Sequence, residues 1–157
     1  MSIYRIMELI DFLPRENVRA RLVAQSKKRA LEIVSGIASV YLGNAKLTFP
    51  ILEGMLNRER LGSTGIGSGV GIPHCRLNDI SEPVAVLITL DKGIDYQGID
   101  NQSVDIVMGL LTPRESTELH IALLAQVAEQ FSKHEVLKRV RGAQDDQMLY
   151  DVISSLR

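Results

Sequence analysis

The sequence predicts an α/β domain, a sheet covered by helices on both faces, and three features carry that expectation. Two runs, Val84–Leu90 and Ile106–Leu111, are apolar at nearly every position, as strands buried on both faces are. Segments with apolar residues at three- and four-residue spacing stand before and after them, which is the mark of helices packed on such a sheet. The chain of 157 residues is 45% hydrophobic and 24% charged, values that exclude a disordered or fibrous protein. That length suits one domain and buries about two-thirds of the unfolded surface without a covalent staple.

In chain order, Val18–Val23 is expected as a short strand. Ser26 is the predicted N-cap of a helix over Lys27–Tyr41, with Ala30, Ile33, Val34, Ile37, Val40 and Tyr41 as its apolar stripe and Gly43-Asn44 as its stop. Thr48 is predicted to cap a second helix, with Pro50 in its first turn, Phe49, Leu52 and Leu56 on one face, and Arg58-Glu59-Arg60 at its end. A glycine-rich segment, Gly62–Cys75, follows. Pro83–Leu90 and Ser103–Leu111 are the buried strands, and Asp91–Gln102 between them holds turns and a short edge strand. From Arg114 the periodicity is helical again, with Leu119, Leu123, Val127 and Phe131 on one face. Two shorter helical segments, His134–Val140 and Asp145–Leu156, are separated at Gly142.

Composition narrows the function classes. The apolar runs fall far short of the roughly 18 residues a membrane span needs, the start lacks a secretory pattern, and the single cysteine, Cys75, fits a reducing compartment. A cytosolic protein is expected. The net charge of −1 hides six basic residues against one acidic in Arg15–Ala30 and six acidic against one basic in Asp79–Asp105. Such a distribution steers a charged partner or simply forms two solvated faces. With no Trp and no basic strand studded with aromatic residues, nucleic acid is not an expected partner.

Five glycines in Gly62–Gly71 are too many for a regular helix or strand. They allow backbone N–H groups to converge on an anion, or serve a structural loop. The known nucleotide motifs fail: no Lys-Ser/Thr follows Gly67, no G-x-G-x-x-G register fits, and Ser68 is not flanked as a nucleophile elbow requires. His74 ends the segment, pinned by Pro73, and a neutral imidazole is a competent nucleophile at cytosolic pH. His120 is either the edge of a packed helix face or a second imidazole donating to an anion beside His74. Arg58 either complements its helix C-terminus or holds an anion with its planar donor fork. His134 has no neighbouring motif. Metal binding is not supported, since there is no His-Glu-x-x-His or Cys-x-x-Cys and the three histidines are scattered. An activated Cys75 thiol is weakly supported, because His74 and Cys75 point apart in an extended backbone.

The run from Arg58 to His74, Arg-Glu-Arg-Leu-Gly-Ser-Thr-Gly-Ile-Gly-Ser-Gly-Val-Gly-Ile-Pro-His, resembles the active-site signature of the IIA domains of the fructose/mannitol class of the bacterial phosphotransferase system. Gln25–Ile33, Ile99–Asp105 and Leu119-His120 support the likeness, which runs from about Leu9 to Ile153 and is greatest to the nitrogen-related branch. The resemblance implies one type-2 IIA domain over residues 1–157, with a mixed, mostly buried sheet flanked by helices. It implies phosphoryl acceptance from a phosphohistidine of the carrier HPr, or its nitrogen-branch paralogue NPr, onto Nε2 of His74. His120 and Arg58 take the supporting positions, and no cofactor or metal is needed for a transfer between two histidines. The nitrogen-related branch implies a standalone regulatory phosphocarrier whose phosphorylation state controls transport or sensor proteins. Handing phosphate to a IIB protein of a sugar system, or binding without phosphotransfer, are the alternatives. Where the family usually has glycine after Pro-His, this chain has Cys75. If that position needs a positive φ, the side chain strains the loop; the thiol beside the histidine either gates transfer by oxidation or is a tolerated small residue.

Overall fold

The computed structural model describes residues 7–156. A six-stranded mixed sheet runs in the order β1 (Val18–Leu22), β5 (Val84–Ile94), β6 (Val104–Pro113), β3 (Val70–Gly71), β2 (Gly65–Gly67), and β4 (His74–Leu77) continues the edge beyond β3 by pairing with the end of β6. The central strands β5 and β6 are antiparallel, with Val86 opposite Gly109 and Ala85 opposite Leu110. β1 joins β5 in parallel, and β3 and β4 join β6 in parallel. β2 pairs antiparallel with β3 at the edge.

Alternation along the central strands divides the core into two layers. Ala85, Leu87, Ile106, Met108 and Leu110 face α1 (Leu9–Phe12), α4 (Thr117–Gln130), α5 (His134–Gly142) and α6 (Asp146–Ser154). Val86, Ile88, Leu90, Val107 and Leu111 face α2 (Lys27–Leu42) and α3 (Thr48–Arg60). Continuous apolar runs are what two covered faces demand. Among the described residues no helix is long and apolar enough to cross a membrane.

Several local expectations are met. Ser26 caps α2 through the amide of Arg29, and Gly43 ends it in the left-handed region at φ 70°. Others need correction. The buried face of α2 is Ala30, Leu31, Val34, Ser35, Ala38 and Ser39, while Val40 is 81% exposed and Tyr41 lies at the surface. Small residues face the sheet because the helix comes very close: a Cβ on Gly109 would stand 2.5 Å from Val34 Cγ1. Thr48 is inside α3 rather than its cap. Its hydroxyl donates to Ser39 Oγ at 2.6 Å, and a 3-10 turn over Ala45–Leu47 leads into the helix. Phe49 is 66% exposed, and Ile51 and Met55 anchor α3 instead. β5 also runs on to Ile94, past the turn expected from Asp91, bending at a register shift between Thr89 and Ile94.

Candidate functional site: a cationic cleft around two histidines

The cleft forms where the sheet edge leaves a gap between the C-terminus of α3 and the N-terminus of α4. Among the described residues β4 pairs with one strand, β6, so its other edge has no strand partner. Along β4 the period of two sends Cys75 and Leu77 into the α2/α3 core and leaves His74 and Arg76 half-buried on the other side. Parallel pairing sets Arg76 beside Thr112, and just past the end of β6 the amide of Arg114 donates to the Leu77 carbonyl. The resulting cleft of about 710 Å³ is lined by Arg58, His74, Arg76, Arg114, Thr117 and His120, with the exposed apolar side chains of Leu61 and Ile121 at its rim.

The structure brings together the three residues singled out from the sequence. Nδ1 of His74 lies 2.7 Å from the carbonyl oxygen of Ile72. A carbonyl only accepts, so Nδ1 carries the proton and Nε2 keeps its lone pair. Burial, helped by Arg58, holds the pKa of His74 below that of a free imidazole, against the opposing pull of the Ile72 carbonyl and Glu59. The His120 ring lies 5.3 Å from that of His74, centroid to centroid, tilted by 56°, and its Nδ1 is hydrogen-bonded to Thr112 Oγ1. Burial, then the charges of His74 and Arg76, lower the pKa of His120 to about 4. Both rings are therefore neutral near pH 7.

Arg58 donates from Nη1 to the carbonyl of Gly62 at 2.8 Å, closing the end of α3 while its guanidinium lines the cleft. Arg76 donates to Thr117 Oγ1 at 2.8 Å, and Arg114 to the backbone carbonyl of Arg76 at 3.3 Å. Among the described residues none of these arginines forms an ion pair, and no carboxylate lines the cleft. Three unpaired guanidinium groups and two neutral imidazoles make a site for an anion with two or more negative charges. Arg76, Arg114 and Thr112 escape sequence reading. Arg76 left one signal, its two-residue spacing from His74; Arg114 and Thr112 become neighbours of the site only through parallel pairing of β4 with β6.

The glycine-rich segment works differently from an anion cradle. Several of its amides are already engaged: that of Thr64 with Glu59 Oε1, Gly65 with Ser63 Oγ, Ser68 with Asp100 Oδ2, and Ile72 with the carbonyl of Thr64. The segment is a hairpin wrapped over buried Tyr96, and a Cβ on Gly71 would meet that ring at 2.8 Å. A polar cluster secures it. Glu59, next to Arg58, binds Lys27 Nζ at 2.5 Å and the Thr64 hydroxyl, and that hydroxyl lies 3.0 Å from the Tyr96 hydroxyl.

Cys75 does not have the positive φ that would strain a side chain; it is an ordinary member of β4. Its thiol is buried against α3, where Gly54 makes room: a Cβ there would lie 3.0 Å from that of Cys75. Burial pushes the thiol pKa up to about 12, with Arg114 opposing. A buried, protonated thiol is poorly suited to redox gating. His134 begins α5, away from the cleft-lining residues.

Comparison with known proteins shows the family and the fold. Residues 11–156 match the family model described as phosphoenolpyruvate-dependent sugar phosphotransferase system, EIIA 2. A nitrogen regulatory protein of Klebsiella oxytoca is 40% identical over 150 residues, covering 94% of this chain and 91% of that protein. The fold resembles that of nitrogen regulatory protein IIA-Ntr from Neisseria meningitidis, with a TM-score of 0.82 at 24% identity over 91% of this chain and 97% of that one. It also resembles enzyme IIA for mannitol from Escherichia coli, solved in complex with phosphorylated enzyme IIB, with a TM-score of 0.73 at 17% identity over 90% and 96% of the two chains. The chain belongs to the EIIA 2 family of the phosphoenolpyruvate-dependent sugar phosphotransferase system.

Proposed function

We propose that residues 1–157 act as a single IIA domain, a cytoplasmic regulatory phosphocarrier that accepts a phosphoryl group from a phosphohistidine of HPr or NPr onto Nε2 of His74. The observation that carries this reading is the 2.7 Å bond from His74 Nδ1 to the Ile72 carbonyl, which leaves the Nε2 lone pair on a ring lining a cleft of unpaired arginines. In the transfer, that lone pair forms the new P–N bond while the donor's P–N bond breaks and its electron pair returns to the donor nitrogen. The Nδ1 proton stays in place, and the Ile72 carbonyl stabilises the positive charge that develops on the ring. Arg58, Arg76 and Arg114 neutralise the phosphoryl oxygens, and His120 donates to one of them. A loose phosphoryl transition state asks for this combination of in-line positioning and charge.

A regulatory role is supported by the name of the relative at 40% identity. Phosphorylation adds about two negative charges to the cleft, enough to change which charged protein surface docks there.

The test is intact mass after incubation with phosphoenolpyruvate, enzyme I and either HPr or NPr. One acid-labile phosphoryl group on the wild type and none on His74→Ala is expected; an unmodified wild type with both donors would overturn the proposal. With a preformed phospho-donor, the transfer step should proceed unchanged in excess EDTA, and a strict Mg²⁺ requirement at that step would contradict charge neutralisation by Arg58, Arg76 and Arg114 alone. Onward transfer to a purified IIB protein would move the assignment to a sugar system.

A further inference from the structure

The two rings of the cleft are held by different partners, His74 by a backbone carbonyl and His120 by a hydroxyl. Thr112 lies on β6 with none of its surface exposed, and its hydroxyl has His120 Nδ1 as its one hydrogen-bond partner among the described residues. A neutral imidazole has a single N–H, so two arrangements are open. If His120 carried its proton on Nδ1 and donated to Thr112, the hydroxyl hydrogen would be buried with nothing to accept it, a costly state in a dry interior. If the hydroxyl donates to a bare Nδ1, every group in the pair is satisfied.

We infer that Thr112 is a positioning residue: it donates to Nδ1 of His120 and so fixes the Nε2–H tautomer, turning His120 into a hydrogen-bond donor toward the cleft. The two histidines then carry opposite tautomers, a lone pair on Nε2 of His74 and a hydrogen on Nε2 of His120. One attacks the phosphoryl group and the other holds an oxygen of it. Without the Thr112 hydroxyl, the His120 ring is free to place its proton on Nδ1 and present a lone pair where a donor is needed. The tautomer assignment stands on the geometry of the pair, and its role in transfer rests on the phosphocarrier reading.

The experiment compares wild type, Thr112→Val and Thr112→Ser. Valine keeps the shape and loses the hydroxyl, serine restores it, and an amide spectrum of each variant reports that the core is intact. Long-range proton–nitrogen NMR spectra of the unphosphorylated protein at pH 7 should show His120 as a single Nε2–H form in the wild type and in Thr112→Ser. In Thr112→Val the resonances should move to the Nδ1–H form or to an average of the two. A wild-type His120 protonated on Nδ1, or a valine variant with an unchanged tautomer, would overturn the inference. The second readout is the rate of phosphoryl acceptance from a preformed phospho-donor. It should fall roughly tenfold in Thr112→Val, as expected for losing a hydrogen bond to a charged group, and recover in Thr112→Ser. Equal rates alongside a changed tautomer would overturn the role in transfer. If the wild type accepts no phosphoryl group, it is the phosphocarrier reading that fails, and the spectra still decide the tautomer.

Discussion

His74 and His120 are close enough that a proton on one opposes a proton on the other, and both rings are partly withdrawn from water. Their depressed pKa values keep the nucleophile's lone pair available at mildly acidic pH, where a free imidazole would be half protonated. NMR titration should place both midpoints below 6.5, with His120 near 4; a midpoint at or above 6.5 for either ring would contradict the burial argument. The same shift bears on stability. Between pH 6.5 and about 4 the unfolded chain binds a proton at His120 that the folded chain refuses, so the stabilisation is complete above 6.5 and drains away as pH falls through that window. Replacing His120 by Asn should flatten the acid limb of a plot of urea midpoint against pH, and an unchanged limb would place its cause elsewhere. At this scale Arg58 and His74 were legible as the ends of one signature run, and His120 through the separate Leu119-His120 pair. Of their partners, Arg76 was signalled only by its two-residue spacing from His74 on β4, and Thr112 and Arg114 were not legible, because pairing of β4 with β6 joins segments as much as 38 residues apart.

The glycine-rich hairpin shows how an element can be conspicuous in sequence and still leave its role open. Its glycine content is consistent with an anion cradle or with a structural loop, and in the structure several of its amides are engaged in a paired hairpin. The missing information is Tyr96, distant in sequence and fully buried beneath the hairpin. Gly71 lies in an extended strand, so no conformational demand explains it, but the Tyr96 ring leaves no space for a Cβ. Gly71→Ala should therefore destabilise the fold by about 1–3 kcal/mol, the usual cost of overpacking a core. Urea unfolding would measure it, and pairing the change with Tyr96→Leu should return part of the loss, since the two side chains share one space. A Gly71→Ala protein as stable as wild type would show that the ring moves aside freely. Helix boundaries are easier to read because caps act locally, as at Ser26 and Gly43. The buried face of α2 is harder. Its apolar residues spread over most of the circumference, and the side pressed to the sheet is decided by Gly109 on another element.

For the whole molecule, the fold class was legible from two doubly buried strands between helices, whereas the mixed strand order was reachable only through the family resemblance, because periodicity carries no strand direction. Charge behaves similarly. The basic and acidic runs in the sequence overstate the surface dipole, since Lys27 is paired with Glu59 and Asp105 with Arg141. A further group of positive charges without ion-pair partners among the described residues gathers from three separate segments at Arg58, Arg76 and Arg114. Three like charges facing one cleft repel each other in the unphosphorylated protein, and a phosphoryl group on His74 would relieve that repulsion while gaining charge-assisted hydrogen bonds. The phosphorylated form should be the more stable, by about 1–2 kcal/mol for such bonds at a partly exposed site. Measured by urea unfolding at pH 8, where phosphohistidine persists, this is a rise in midpoint of roughly 0.5–1 M. The gap should narrow as salt is raised toward about 0.5 M, because screening acts on exposed charges first. Arg76→Gln with Arg114→Gln should raise the stability of the free form and shrink the gain on phosphorylation, both from the same loss of positive charge. Equal midpoints for the two wild-type forms at low salt would mean that the cleft's arginines are already neutralised by solvent, and that their work is confined to the moment of transfer.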